Sequence, residues 1–187
     1  MQEKKTLTQA ITDILIRDGV VSSIMGDQLE QLFKDSDKDS FAEFLIDDGL
    51  ADRRDVLDAL SEYYQVPWFD TNGYFFNHML LHEFPKDFLL RNNIIPIEVD
   101  EDILVLAASD PGNSNLLPLI GSYASYDVRF EVGLARDIQD AIKEFYDEDV
   151  SAQSHAPDDL DWEEDHRLIK EEERLEEDEI EKDRPVE

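Results

Sequence analysis

Residues 10–20 (AITDILIRDGV) and residues 40–50 (SFAEFLIDDGL) carry the same pattern, an apolar helical stripe followed by Gly and one apolar residue. The offset between the copies is 30 residues, from 40 minus 10. Because glycine tolerates the left-handed backbone that closes many helices, each copy predicts a helix ending at its Gly. A second amphipathic segment follows each copy, at residues 24–34 and 53–64. The sequence therefore predicts two helical hairpins that bury their apolar faces on one another.

The second segments of the two copies are less alike than the first. They align only if about three residues are inserted around residues 24–26, which sets Leu32 and Phe33 against Ala59 and Leu60. The pattern therefore indicates a degenerate duplication.

The pattern changes after Pro67, where strand-like and helical segments begin to alternate. The predicted segments are a helix at 84–91 with Pro in its first turn, strands at 94–99 and 103–108 joined by a turn at 100–102, a helix at 110–122, a strand at 126–132 and a helix at 136–146. The predicted fold class is α+β, with a helical hairpin repeat subdomain at residues 1–66 and a small α/β sandwich at 67–150. We expect a sheet of three to four strands, and an acidic tail at 151–187 that is a disordered linker or a solvated helix.

Charge and composition narrow the classes of function. The net charge of −30 repels phosphate backbones and anionic membrane surfaces, so we expect no nucleic-acid partner. No stretch approaches the roughly 20 apolar residues that span a bilayer, so we expect a cytoplasmic protein without direct membrane insertion. The absence of Cys excludes disulfides and thiolate metal sites from this chain.

The order of motifs along the chain resembles the N-terminal domain of the ATPases that drive type II secretion and type IV pilus assembly. The motifs, within about residues 7–147, are the Gly-Leu hairpin, 56–60 (VLDAL), 66–67 (VP), 84–85 (FP), 94–97 (IIPI), 104–111 (LVLAASDP) and 138–146 (IQDAIKEFY). The resemblance implies a non-catalytic regulatory or docking domain that binds an inner-membrane platform protein, and possible contact with the ATPase's own motor domain. It also implies a location at the inner membrane through that partner.

In one subgroup of this family the tandem helical repeat binds cyclic di-GMP, which gives the alternative function. The apolar framework and cap glycines of that repeat fall here on Ile11, Leu15, Gly19, Phe41, Leu45 and Gly49. The subgroup's Arg positions fall on Ala10 and Ser40, and its Gly positions on Thr12 and Ala42. Since Arg clamps phosphates and Gly permits close approach, these changes argue against tight binding of a dianion. We expect no cofactor, with cyclic di-GMP as the alternative.

Other candidate sites are weaker. No phosphate-binding GxxxxGK[ST] loop occurs, and no nucleophile motif is found, so we expect no enzyme activity from this chain. His78 and His82 have the spacing of a zinc pair but no third ligand is indicated, so no metal site is predicted.

Two clusters are interpreted as structural. The spacing of Asp35, Asp37 and Asp39 is typical of a calcium loop, but Ser40 and Ile46 stand where that loop needs Gly and a bidentate Glu. We interpret it as the connector between the hairpins. The aromatic cluster at 68–76 (Trp68, Phe69, Tyr74, Phe75, Phe76) is expected to join the two subdomains, with a partner groove as the alternative.

The end of the sequence leaves two possibilities open. Residues 183–186 (DRPV) resemble the segment that leads into the motor domains of these ATPases. A fragment of a longer ATPase and a free-standing adaptor both fit this observation.

Overall fold

A computed structural model describes residues 6–154 of the chain, and within that range it contains eight helices and three strands. The elements are α1 (Leu7–Arg17), α2 (Ser23–Asp35), α3 (Phe41–Asp47), α4 (Arg53–Tyr64), α5 (His78–Leu81), α6 (Lys86–Asn92), β1 (Ile94–Asp100), β2 (Ile103–Ala108), α7 (Leu116–Ile120), β3 (Asp127–Val132) and α8 (Ala135–Ser154). The predicted α+β class is confirmed. The tail beyond residue 154, including the motif at 183–186, lies outside the described residues.

The duplicated pattern produces the same helix end twice. Gly19 has a φ of +76°, and the N–H of Gly19 donates to the carbonyl of Ile16 (3.1 Å) while that of Val20 donates to the carbonyl of Leu15 (2.9 Å). The equivalent bonds 30 residues later have the same two lengths, and Gly49 has a φ of +66°. This pair of bonds is the Schellman motif, which satisfies carbonyls that the helix leaves unpaired.

The second helices of the two hairpins also begin 30 residues apart. Ser22 caps α2, which starts at Ser23, and Asp52 precedes α4, which starts at Arg53. The predicted insertion around residues 24–26 lies inside α2, after this shared start, and it stays a prediction.

The four helices enclose a hydrophobic cluster in which α4 is the central element. Helix α4 packs against α1, α3 and strand β3, and it buries Val56, Leu57, Ala59 and Leu60. Helix α2 approaches α1 closely at Gly26, where an added Cβ would overlap the Ile16 side chain. The predicted pair of packed hairpins is thus present.

The sheet has the order β1-β2-β3, with β1 antiparallel to β2 and β2 parallel to β3. Glu101, in the turn between β1 and β2, has a φ of +56°. An isolated bridge joins Trp68 to Val132 at the end of β3. The sheet packs against a second hydrophobic cluster that includes Ile138 and Ile142 of α8.

Two predicted helices differ in extent from those observed. The helix predicted at 110–122 is reduced to α7, because the residues before it form turns: the N–H of Asn113 donates to the carbonyl of Asp110 (3.1 Å), and the N–H of Asn115 to Oδ1 of Asn113 (3.1 Å). Pro, Gly and Asn favour such turns over a helix. The second difference concerns the helix predicted at 136–146, since α8 continues past residue 146 to Ser154.

The division of the chain at residue 66 stays a prediction. Both hydrophobic clusters belong to one compact unit that ends at Tyr146, and Val132 and Leu134 contribute to the helical cluster. Within residues 6–154, none of the helices is long and apolar enough to cross a membrane.

Candidate functional site: a cleft between the helical repeat and the sheet

A cleft of about 600 Å³ lies where the starts of α1 and α3 meet the starts of α8 and the ends of α6 and β2. This volume is within the range of small-molecule sites. The residues that line it are Leu7, Thr8, Ile11, Phe33, Asp39, Ser40, Phe41, Ala42, Glu43, Leu60, Tyr64, Asn93, Ser109, Asp110, Gly133, Leu134, Ala135, Arg136 and Gln139. We call it the repeat cleft.

Arg136 supplies the only cationic side chain among those lining residues, all of which are described, and it is bound by α3. Its guanidinium donates to both carboxylate oxygens of Asp47 (2.9 and 2.7 Å) and to Oε2 of Glu43 (3.4 Å). Its backbone N–H donates to Oε1 of Glu43 (3.1 Å). Hydrogen bonds from Arg136 and then Lys38 hold the pKa of Asp47 well below its ordinary value. The cleft's positive charge is therefore neutralised by a bidentate acidic partner.

The remaining polar groups of the cleft are acidic or neutral. Burial raises the pKa of Tyr64 well above its ordinary value, and the charge of Asp110 and a hydrogen bond to it add to the shift. The side-chain amide of Gln139 donates to Oδ1 of Asn93 (2.6 Å). Asn93 adopts the left-handed conformation at the end of α6, which presents it to the cleft. A ligand here would meet neutral donors and several carboxylates, an environment that disfavours anions.

The six residues of the cyclic di-GMP prediction fall in different places. Ile11 and Phe41 border the repeat cleft. Leu15 and Leu45 are fully buried in the helical cluster, and Gly19 and Gly49 are the helix caps. The structure thus brings one residue from each repeat to the cleft. A nucleotide-contacting role for any of the six stays a prediction.

The positions at which the cyclic di-GMP subgroup carries Arg and Gly now have structural roles. Ser40 caps α3, accepting from the N–H of Glu43 (3.4 Å). Thr12 is buried in α1, with its methyl group 3.3 Å from where a Cβ on Gly26 would lie. Helix capping and packing therefore account for Ser40 and Thr12 in this chain.

Residues 64–152 match the family model of the MshEN domain. This part of the chain is therefore similar to the MshEN domain family. The resemblance to the N-terminal domain of secretion and pilus ATPases is thereby confirmed.

Solved structures share the fold of this chain. A structure of MshE with cyclic di-GMP matches with a TM-score of 0.59 at 20% identity, over 76% of this chain and 100% of the other. The N-terminal domain of XpsE matches with a TM-score of 0.53 at 19% identity, over 76% of this chain and 97% of the other. A search of curated proteins finds no match.

The other sequence candidates have structural surroundings. His78 and His82 lie against the ring of Phe145, with ring centroids 4.5 and 5.6 Å apart. In the described part of the chain, no three His, Asp or Glu side chains form a group that could hold a metal ion. Asp37 and Asp39 lie in the connector between α2 and α3, as predicted, whereas Asp35 is the last residue of α2.

The aromatic cluster divides between the two hydrophobic clusters of the chain. Trp68 packs against the helical cluster, whereas Phe69 and Phe76 pack against the sheet cluster. Phe75 is 96% exposed and Tyr74 is 38% exposed. The segment therefore links the two cores and also presents aromatic surface to solvent.

Sequence reasoning missed the polar residues of the repeat cleft. Tyr64 lies at the end of α4, Asp110 follows β2, and no local pattern connects these two with Arg136 and Gln139 of α8. Asn93 alone carries a recognisable signal, since Asn after a helix favours the left-handed cap.

Proposed function

We propose that this chain is a non-catalytic regulatory and docking domain of a type II secretion or type IV pilus ATPase, and that it binds the cytoplasmic face of an inner-membrane platform protein. The observation that carries this proposal is the MshEN match at residues 64–152. The ATPase's own motor domain is a second protein surface available to such a domain.

The chemistry of the repeat cleft supports a role in binding protein. Its one guanidinium is held by Asp47 and Glu43, so it is already neutralised when a phosphate approaches. The chain also has no phosphate-binding loop with which to hydrolyse ATP. We therefore expect this domain to act by binding another protein at its surface.

The second candidate is a cyclic di-GMP receptor, and the position of the cleft favours it. Ile11 of the first repeat and Phe41 of the second both border a cleft of about 600 Å³. A solved structure of the same fold, MshE, contains cyclic di-GMP. The carboxylates around Arg136 argue against tight binding.

A pair of titrations with the purified chain tests the ranking. We expect the cytoplasmic region of the platform protein to bind in a calorimetric titration, and cyclic di-GMP to give no submicromolar binding. The double variant E43Q/D47N releases Arg136 and serves as the matched test of the charge argument. Cyclic di-GMP binding that appears only in this variant would support the argument, whereas submicromolar binding by the unmodified chain would reverse the ranking.

A further inference from the structure

A second cleft, of about 630 Å³, lies between α5 and the edge strand β1. The residues that line it are Tyr74, Phe75, Asn77, Met79, Leu80, Glu83, Ile97, Glu98 and Val99. We call it the Phe75 groove. It is separate from the repeat cleft, since the two share none of their lining residues.

Packing of its neighbours holds Phe75 out in solvent. The ring of Tyr74 makes edge contacts with Phe69 (5.0 Å) and with Phe76 (4.9 Å), and both of those rings pack against the sheet cluster. Since its flanking residues are anchored, Phe75 remains 96% exposed. Folding therefore leaves a large aromatic side chain exposed at a defined place.

The groove continues the apolar surface around Phe75. Met79 is 83% exposed and Val99 38% exposed, while the buried Leu80 and Ile97 form its base. Aromatic residues and Met are enriched at protein interfaces, and contiguous exposed apolar surface marks interaction sites. Met also adapts its shape to a partner. The groove thus has the composition of an interface.

Carboxylates set the charge of the groove. Glu83 and Glu98 line it. Burial raises the pKa of Tyr74, and the negative charges of Glu98 and Glu131 raise it further, which puts a third carboxylate nearby. The whole chain has a net charge of −30. A second copy of this chain, or its own acidic residues after 154, would meet repulsion here, whereas a basic segment would be attracted.

The edge of the sheet argues against a partner strand. Pro96 has no N–H to donate, and Ile97 lies in a bulge, because Pro96 faces Leu106 while Glu98 faces Val105. Proline and bulges are features that protect an edge strand from further pairing. Among the other recurrent modes, a helix laid in an apolar groove fits a surface of aromatic, Leu and Met side chains bordered by carboxylates.

We propose that the Phe75 groove binds an amphipathic helix of a protein partner, with an apolar stripe against Phe75 and Met79 and with Lys or Arg beside Glu83 and Glu98. This assignment rests on the proposed docking function and specifies the chemistry of the docked segment. The helix buries exposed aromatic and thioether surface, and its cations pair with rim carboxylates.

A designed peptide tests the chemistry of the groove on the full chain. The probe is a fluorescent 18-residue peptide, with Leu at the i, i+3, i+4 and i+7 positions of a helix and Lys elsewhere. A scrambled peptide of equal composition controls for attraction to the acidic protein. We expect the amphipathic peptide to bind about tenfold more tightly than the scrambled one, and more weakly as salt rises.

Variants on exposed positions locate the binding site. F75S/M79S removes the apolar surface, and I24S/L117S is its matched control, since Ile24 and Leu117 are 78% and 52% exposed elsewhere. We expect F75S/M79S to weaken the peptide about tenfold and the control to leave it unchanged. E83Q/E98Q should reduce the salt dependence more than D27N/E144Q, which removes the same charge from other exposed positions.

The outcomes separate this inference from the proposed function. Equal binding of the two peptides, or equal loss in both serine variants, overturns the groove assignment. The same variants are then titrated with the cytoplasmic region of the platform protein. Loss of that binding in F75S/M79S alone supports the assignment. Unchanged binding in F75S/M79S overturns it and leaves docking intact, whereas no binding to the unmodified chain overturns the docking function itself.

Discussion

In the first hairpin, α2 packs mainly on α1, whereas in the second hairpin α4 lies between α1, α3 and β3. Both hairpins have the same Schellman cap with bonds of the same length. Their apolar faces nevertheless differ in burial: Leu32 of α2 is 42% exposed, and Leu57 of α4 is 2% exposed. Caps depend on a few neighbouring residues, while burial depends on which elements lie alongside. A duplicated sequence can therefore repeat its helix caps without repeating its pattern of burial.

The charged residues show the same divergence. Position 17 in the first repeat is Arg17, whose guanidinium donates to Oε2 of Glu62 in α4 (2.7 Å). Its equivalent 30 residues later is Asp47, which accepts from Arg136 in α8. The ion pair of Arg17 thus joins the first hairpin to the second. The ion pair of Asp47 instead joins the second hairpin to α8.

The largest expected difference between the hairpins is in the stability lost when a Leu side chain of α2 or α4 is shortened to Ala. Leu57→Ala removes buried apolar volume from the central helix and should lower the free energy of unfolding by about 2–5 kcal/mol. Leu32→Ala, the same chemical change on the more exposed helix, should cost less than about 1 kcal/mol. Urea unfolding monitored by circular dichroism measures both. Equal losses would mean that α2 and α4 are equivalent in the core.

Substitutions at the two cap glycines should lower the stability of the protein by similar amounts. Gly19→Ala and Gly49→Ala each place a Cβ in open space but in a left-handed backbone, so each should cost about 1–2 kcal/mol. Gly121→Ala is the control, because Gly121 has a φ of −61° that Ala adopts readily. Thermal unfolding compares the three variants, and a cost at only one of the two caps would contradict their equivalence.

The smallest effect is expected at Asp47, and it should depend on pH. The pKa of this carboxyl is lowered in the folded state, so its contribution to stability is present above about 3.8, the ordinary pKa of the group, and is lost as pH falls toward the lower folded value. Asp47→Asn should therefore lower the melting temperature slightly at pH 7, and its difference from the unmodified chain should begin to shrink only as the pH falls below about 3.8. Asp48→Asn removes an equal charge at the next residue and is the control. A difference between D47N and the unmodified chain that stays constant as the pH falls would assign the effect to packing.

Much of the fold was predictable because its signals are local. Strand β2 begins and ends where an apolar run and its flanking turn residues indicate, and α4 occupies the predicted residues 53–64. The helix predicted at 110–122 was too long, since Pro111, Gly112 and Asn113 favour turns that the apolar pattern does not reveal. The insertion predicted near Gly26 lies inside α2, where the positions of the helix starts do not test it.

The candidate sites were predictable only in part. Ile11 and Phe41 were identified from the repeat, and both border the repeat cleft. Arg136 was not, because its partners Glu43 and Asp47 are about 90 residues away in sequence. The aromatic run that includes Phe75 was visible in the sequence, but its exposure was not.

The sequence by itself determined the two glycine caps, the order of the three strands and the acidic character of the chain, because caps, turns and apolar runs act over a few residues. The tertiary structure alone decided that α4 and not α2 is central, that Arg136 is neutralised by α3, and that Phe75 faces solvent. These properties depend on which distant residues come into contact, and contacts of that range are fixed only when the whole core is packed.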